Sequence, residues 1–126
     1  MSPRPTTAGR RRAQRFGRLA EGLCAWHLRL RGYRVLARGF RTPFGEIDII
    51  AQRGGTVAVI EVKARRDFDA AVQALGRRQR DRIVRAARAF LQARPGLAES
   101  DLRFDVMVVE PWRLPRHLAD AWRGGE

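Results

Sequence analysis

An α/β domain is predicted, with elements in the order α-β-β-β-α-β: a mixed sheet with helices beside it. Three observations carry this. Apolar residues recur at helical spacing in residues 16–30 and again in residues 79–93. Two β-rich runs flank Gly54-Gly55, a strong hairpin signal. A further apolar run, Phe104–Val109, is stopped by Pro111.

The elements follow in order. Residues 1–15 (MSPRPTTAGRRRAQR) lack acids and an apolar core, which excludes a secretory signal and reads as a disordered basic arm. The domain proper is expected over residues 16–126. In the first helix Phe16, Leu19, Ala20, Leu23, Cys24, His27 and Leu30 form the apolar stripe, and Gly32 closes it as a C-terminal cap. Tyr33–Phe40 is the first strand. Thr42, Pro43 and Gly45 mark a turn. Glu46–Gln52 and Thr56–Ala64 are the second and third strands. Residues 67–77 read as a loop or a short helical turn. In the second long helix, Gln79–Ala93, Ile83, Ala86, Ala87, Phe90 and Leu91 face inward, while Arg78, Arg82, Arg85 and Arg88 face outward. Phe104–Val109 is the fourth strand, and the tail from Trp112 is expected to pack a short helix back on the domain.

The chain has 126 residues, enough to bury roughly two thirds of its unfolded surface without a metal or disulfide. Its net charge is +13 and its pI about 11.8, a field that attracts polyanions, nucleic acid first. Cys24, the only cysteine, excludes an internal disulfide and reads as a small core residue. No apolar run approaches the roughly 20 residues of a membrane span. A cytoplasmic protein with no membrane contact is expected.

Centring the hairpin on Gly54-Gly55 pairs Gln52 with Val57, Ile50 with Val59, Asp48 with Glu61 and Glu46 with Lys63. Directly opposed residues share a face. Four ionisable groups therefore gather at one end of the hairpin, beside apolar Ile50, Val57 and Val59. The other face, Ile47, Ile49, Ala58, Ile60 and Val62, is apolar throughout, so both faces look buried. Opposed carboxylates repel unless a positive charge intervenes. Lys63 and Arg65 could supply it, and so could Mg²⁺, which commonly uses one or two carboxylates plus water and phosphate. Of the 26 basic residues, Lys63 alone is lysine. Arginine would serve for plain ion pairing; a compact ammonium suits a site that places one donor beside a water and a phosphate.

Asp48, twelve residues, then Glu61-Val62-Lys63 resembles the PD-(D/E)xK nuclease signature, with Gly45-Glu46-Ile47-Asp48 in place of its Pro-Asp. GEIDIIA, VIEVKAR and RFDV together resemble the small bacterial YraN-like family, which is assigned to the endonucleases; the resemblance runs from about Phe16 to Val109. It implies the restriction-endonuclease-like fold, akin to archaeal Holliday-junction resolvases. It implies Mg²⁺ or Mn²⁺ held by Asp48 and Glu61, with the Val62 carbonyl as a third ligand and Glu21 as an additional helical acid. Lys63 would orient or activate the attacking water. Gln79 stands where relatives often carry a polar or basic residue. Glu46 would pair with Lys63 or Arg65, and Arg103 with Asp105 as a structural ion pair. The implied reaction is metal-assisted phosphodiester hydrolysis, selective for structure over sequence, most simply on DNA. Arg65, Arg66, Arg78, Arg82 and Arg85 would meet the phosphate backbone. A homodimer would suit a two-strand cut.

Two other readings compete. One keeps the fold as a catalytically inactive nucleic-acid-binding module. The other is a structural protein whose basic surface holds an acidic partner. A zinc enzyme is disfavoured because His27 and His117 stand apart with no Cys-His cluster. A Ser-His-Asp hydrolase is disfavoured because Ser2 and Ser100 lie in flexible or linking segments.

Overall fold

A computed structural model describes residues 7–64 and 76–123, with side chains from residue 17 onward and Arg77 excepted. Arg65, Arg66 and the expected loop through residue 75 lie outside the described residues.

Helix α1 spans Thr7–Leu30. It begins well before Phe16, which corrects the expected unstructured arm over residues 7–15. Arginine, alanine and glutamine are all good helix formers, so these residues extend the helix without an apolar stripe of their own. Its end is the one expected. Gly32 adopts φ +85°, its N–H donates to Arg29 O at 3.1 Å, and the Tyr33 N–H donates to Leu28 O at 3.0 Å. This is a complete Schellman cap, which needs a left-handed residue at that point.

Strands β1 (Arg34–Thr42), β2 (Gly45–Arg53) and β3 (Thr56–Ala64) follow as an antiparallel meander. Helix α2 (Arg77–Gln92) forms part of the crossover to β4 (Asp101–Val109), which lies parallel to β3. A short 3-10 turn, Pro95–Leu97, intervenes. The tail is not a helix. Arg116–Trp122 forms a fifth strand, β5, antiparallel to β4, with Val106 opposite Leu118 and Phe104 opposite Trp122. The physical reason lies in β4. Its residues Phe104–Val109 are buried, and an apolar strand of this kind cannot be left as an open edge. The Trp122 ring stacks on Phe104 at 4.2 Å between centroids, closing that edge.

The sheet is thus five-stranded and mixed, in the order β1-β2-β3-β4-β5, with a helix against each face. This is consistent with a restriction-endonuclease-like fold. On one face Ile50, Val57, Val59, Val106 and Val108 pack against Ile83, Ala86, Ala87 and Phe90 of α2. On the other, Ile49, Ala51, Ala58, Ile60 and Met107 pack against Ala20, Cys24, Ala25 and Leu28 of α1. Both faces of β3 are therefore dry, as its unbroken apolar run implies. Each fully buried aliphatic side chain contributes about 1.5–3 kcal/mol.

Two expected faces are corrected. On α1 the small residues Ala20, Cys24 and Ala25 seat the helix against the sheet, while Leu19, Leu23 and Leu30 point outward and are 67%, 47% and 67% exposed. Two apolar stripes overlap on this helix, and the one with less bulk allows the closer approach. On β2, Ile47 belongs to the α2 side and Ile49 to the α1 side, so the strand changes face at Asp48. β1 does the same at the same level. Arg38, paired with Ile49, reaches α1, while Phe40, paired with Ile47, packs edge-on against Phe90 of α2. Between them Gly39 takes φ +58°, a left-handed conformation glycine adopts at little cost.

Candidate active site

The β2–β3 ladder runs from Arg53–Thr56 to Ile49–Ile60 in the expected register, and no pairs follow. Beyond that point β2 stays paired with β1, through Ile47–Phe40 and Glu46–Arg41, while β3 stays paired with β4 through Ala64–Val109. The sheet forks. Asp48 and Glu61 stand in the opening as expected, but not as a ladder pair. In place of a backbone rung, Asp48 Oδ2 accepts a 2.8 Å hydrogen bond from the Val62 N–H. Glu46 does not meet Lys63; it pairs with Arg41 at 3.3 Å.

Glu61 is only 5% exposed, and its Oε1 is buried with no hydrogen-bond partner. Its other oxygen accepts from Gln79 Nε2 at 3.4 Å, which brings the first turn of α2 to the fork. Burial, and then the Asp48 charge, push the Glu61 carboxyl up to about 8, with Lys63 opposing. Burial also raises Asp48, against the pull of the Val62 N–H and Lys63. Two carboxylates are both acceptors, so the pair lacks a positive particle. Burial favours keeping a proton on the pair, and a hard cation could replace that proton.

Glu21 faces the fork from α1. It is bound by Arg38 at 3.3 Å, and its carboxyl is raised by burial and by the Asp48 charge, with Arg38 opposing. Among the described residues, no group of three or more His, Cys, Asp or Glu side chains converges to hold a metal ion. The expected ligands thus reduce to two close carboxylates, with Glu21 held by Arg38 and the Val62 backbone adjacent. Arg78, Arg82 and Arg85 are exposed on α2, one helical face apart from its buried stripe. Arg82 lies beside the fork: its Cβ is 3.7 Å from where a side chain on Gly45 would begin. Cys24 is fully buried, and burial pushes its thiol up to about 12, which suits a core residue.

A second polar cluster escaped the sequence reading in part. Arg103 and Asp105 form the expected ion pair, with bonds of 2.9 and 2.8 Å. Asp105 is fully buried and also receives His117 Nε2 at 2.7 Å and the Asp120 N–H at 2.9 Å, and Arg103 donates onward to Tyr33 Oη at 2.6 Å. His117 therefore has an acidic partner, twelve residues back in sequence and brought near by the β4–β5 pairing. Arg116–Trp122 does not alternate cleanly, so the tail residues carry no strand signal of their own. This cluster fastens β5 to the sheet.

Fold and fork together define a class: a small mixed α/β protein with a buried carboxyl pair where its central strands part. The chain belongs to the UPF0102 family, a YraN-like family. The model of "Uncharacterised protein family UPF0102" matches residues 20–109, which include α1 from Ala20 and all of β1 to β4. Similar chains include a UPF0102 protein of Paramagnetospirillum magneticum, 50% identical over 98% of both chains. Another, from Parvibaculum lavamentivorans, is 55% identical over 88% of this chain and 84% of its own. A third, from Rhodopseudomonas palustris, is 50% identical over 96% of this chain and 94% of its own. Among the described residues no helix is long and apolar enough to cross a membrane.

Proposed function

We propose that the protein is a metal-dependent endonuclease of the PD-(D/E)xK kind, hydrolysing phosphodiester bonds in DNA. The observation that carries this is the orphaned Glu61 Oε1 beside Asp48 in the fork, with Lys63 two residues further along β3. That donor set suits a hard cation: buried oxygens, net negative charge, and an atom without a partner. Asp48 and Glu61 would hold it, with the Val62 carbonyl and Glu21 nearest to complete the set. A bound Mg²⁺ or Mn²⁺ supplies charge neutralisation at the phosphate and acidifies water.

The chain's own groups do the rest. Gln79 fixes the Glu61 carboxylate by its amide. The Val62 N–H fixes Asp48. Lys63 contributes an ammonium that donates to the attacking water and to a non-bridging phosphate oxygen, which a wide guanidinium would do poorly. Arg78, Arg82 and Arg85 hold the backbone of the substrate, and the net charge of +13 draws it in. Two such sites, hence two copies of the chain, would be needed to cut both strands together.

One observation favours a second reading. With no third acidic or imidazole ligand converging among the described residues, a binding module that no longer cuts also fits. Titration with Mg²⁺ or Mn²⁺, followed by cleavage assays on branched, flap and single-stranded DNA and on RNA, separates the two. Metal-dependent cuts support the nuclease. Tight binding with neither metal uptake nor cleavage selects the module.

A further inference from the structure

The end of the sheet that holds the fork also carries two exposed aromatic rings that the carboxyl pair does not use. Phe44 sits in the β1–β2 turn and is 43% exposed; Trp112 sits in the β4–β5 connection and is completely exposed. Strand direction puts them at one end. Lys63 pairs with Val108 and Ala64 with Val109, so the β4–β5 connection leaves the sheet beside Lys63. β2 runs antiparallel to β3, so the turn before Gly45 lies at that same end. One ring therefore stands on each side of the opening, separated by at least three strand spacings, roughly 15 Å or more.

Trp112 is there at a cost. Its φ is +64°, after Pro111. A turn with proline first and a positive φ second favours glycine at that second place. A bulky side chain in this conformation is an outlier, and such strain concentrates at functional positions. Its ring gains nothing from the fold, since it touches water all round. Each ring also has arginines close by: Arg41 precedes the Phe44 turn and is 85% exposed at its side chain, Arg82 packs against Gly45, and exposed Arg113 follows Trp112. Aromatic faces interleaved with arginines are what an unpaired nucleic-acid strand requires: bases stack on the rings and phosphates meet the guanidinium groups.

We propose that Phe44 and Trp112 are base-stacking platforms flanking the Asp48–Glu61 fork, so that the site takes nucleic acid with unpaired bases in preference to intact duplex. This rests on the nucleic-acid reading of the fork but not on cleavage, and it is tested by binding alone. Fluorescence anisotropy without added metal would compare a labelled oligothymidylate of about 12 nucleotides with a duplex of the same length. Trp112→Gly relieves the turn, so the variant should fold at least as well as the parent by thermal melting. It should lose roughly 5- to 150-fold in affinity for the single strand, the range for one stacked base, and keep its duplex affinity. Phe44→Ala should do the same. An oligouridylate should follow the oligothymidylate if stacking dominates. Equal loss for single strand and duplex, or no loss in either variant, overturns the platforms while leaving the nuclease open to its own assay. Failure to bind any oligonucleotide, with Ca²⁺ present as well as absent, overturns both.

Discussion

Asp48 crosses the point where β2 and β3 part and takes the Val62 N–H as its hydrogen-bond donor, at 2.8 Å. One side chain thus ends the ladder and fixes a carboxylate next to Glu61. Asp48→Asn retains an oxygen for that N–H and should change stability by less than about 1 kcal/mol; Asp48→Ala should cost about 1–3 kcal/mol. Both should abolish metal uptake, measured by calorimetric titration, while sparing affinity for DNA. A variant that keeps its metal would place the ligands elsewhere.

Lys63 is expected to be irreplaceable by the residue this chain otherwise uses for positive charge. Lys63→Ala and Lys63→Arg should each lower single-turnover cleavage by roughly 10²–10⁴-fold with DNA affinity retained. An active Arg variant would reduce Lys63 to a generic cation.

The carboxyl pair should make the metal-free protein sensitive to alkali. The Glu61 carboxyl is raised from 4.5 to about 8 on folding. A raised acid stabilises the fold fully below its unfolded value, and that contribution is lost as pH rises through its folded value. Urea midpoints should therefore fall between about pH 4.5 and 8, fall slightly less in Asp48→Asn because burial remains the larger cause, and recover with Mn²⁺. A flat profile over this window would mean that folding does not raise the Glu61 carboxyl.

Asp105 acts in the opposite direction. Burial raises its carboxyl, but the bonds from His117, Arg103 and the Asp120 N–H outweigh this and hold it below 3.8. Stability from this group is present above that value and lost as pH falls below it. Asp105→Ala should cost about 3–5 kcal/mol, because it strands Arg103 in a part-buried place and unfastens β5. Hydrogen exchange across Arg116–Trp122 would show the strand loosening.

Much of this was legible in the residues. Gly54-Gly55 set the hairpin register, and Ile50–Val59 and Gln52–Val57 pair as it implies. The apolar pattern of α2 named its buried face through Ile83, Ala86, Ala87 and Phe90. What failed did so where tertiary contacts overrode local pattern. Period-two alternation cannot foresee a side chain replacing a rung, so it puts Ile47 on the wrong face and Glu46 opposite Lys63. Helical spacing cannot choose between two overlapping stripes, so it puts Leu19, Leu23 and Leu30 inward, where the structure exposes them. β5 exists because β4 needs a partner, which no residue of the tail announces alone. Of the candidate site, Asp48, Glu61 and Gln79 meet at the fork, and Glu21 faces it with Arg38.

The proposal turns on a cation seated between Asp48 and Glu61. Anomalous diffraction from crystals soaked in Mn²⁺ tests it most directly. A single strong peak within bonding distance of both carboxylates, gone in Asp48→Asn, is the expected result. An empty fork at saturating Mn²⁺, with the two carboxyls still in mutual contact, would contradict it.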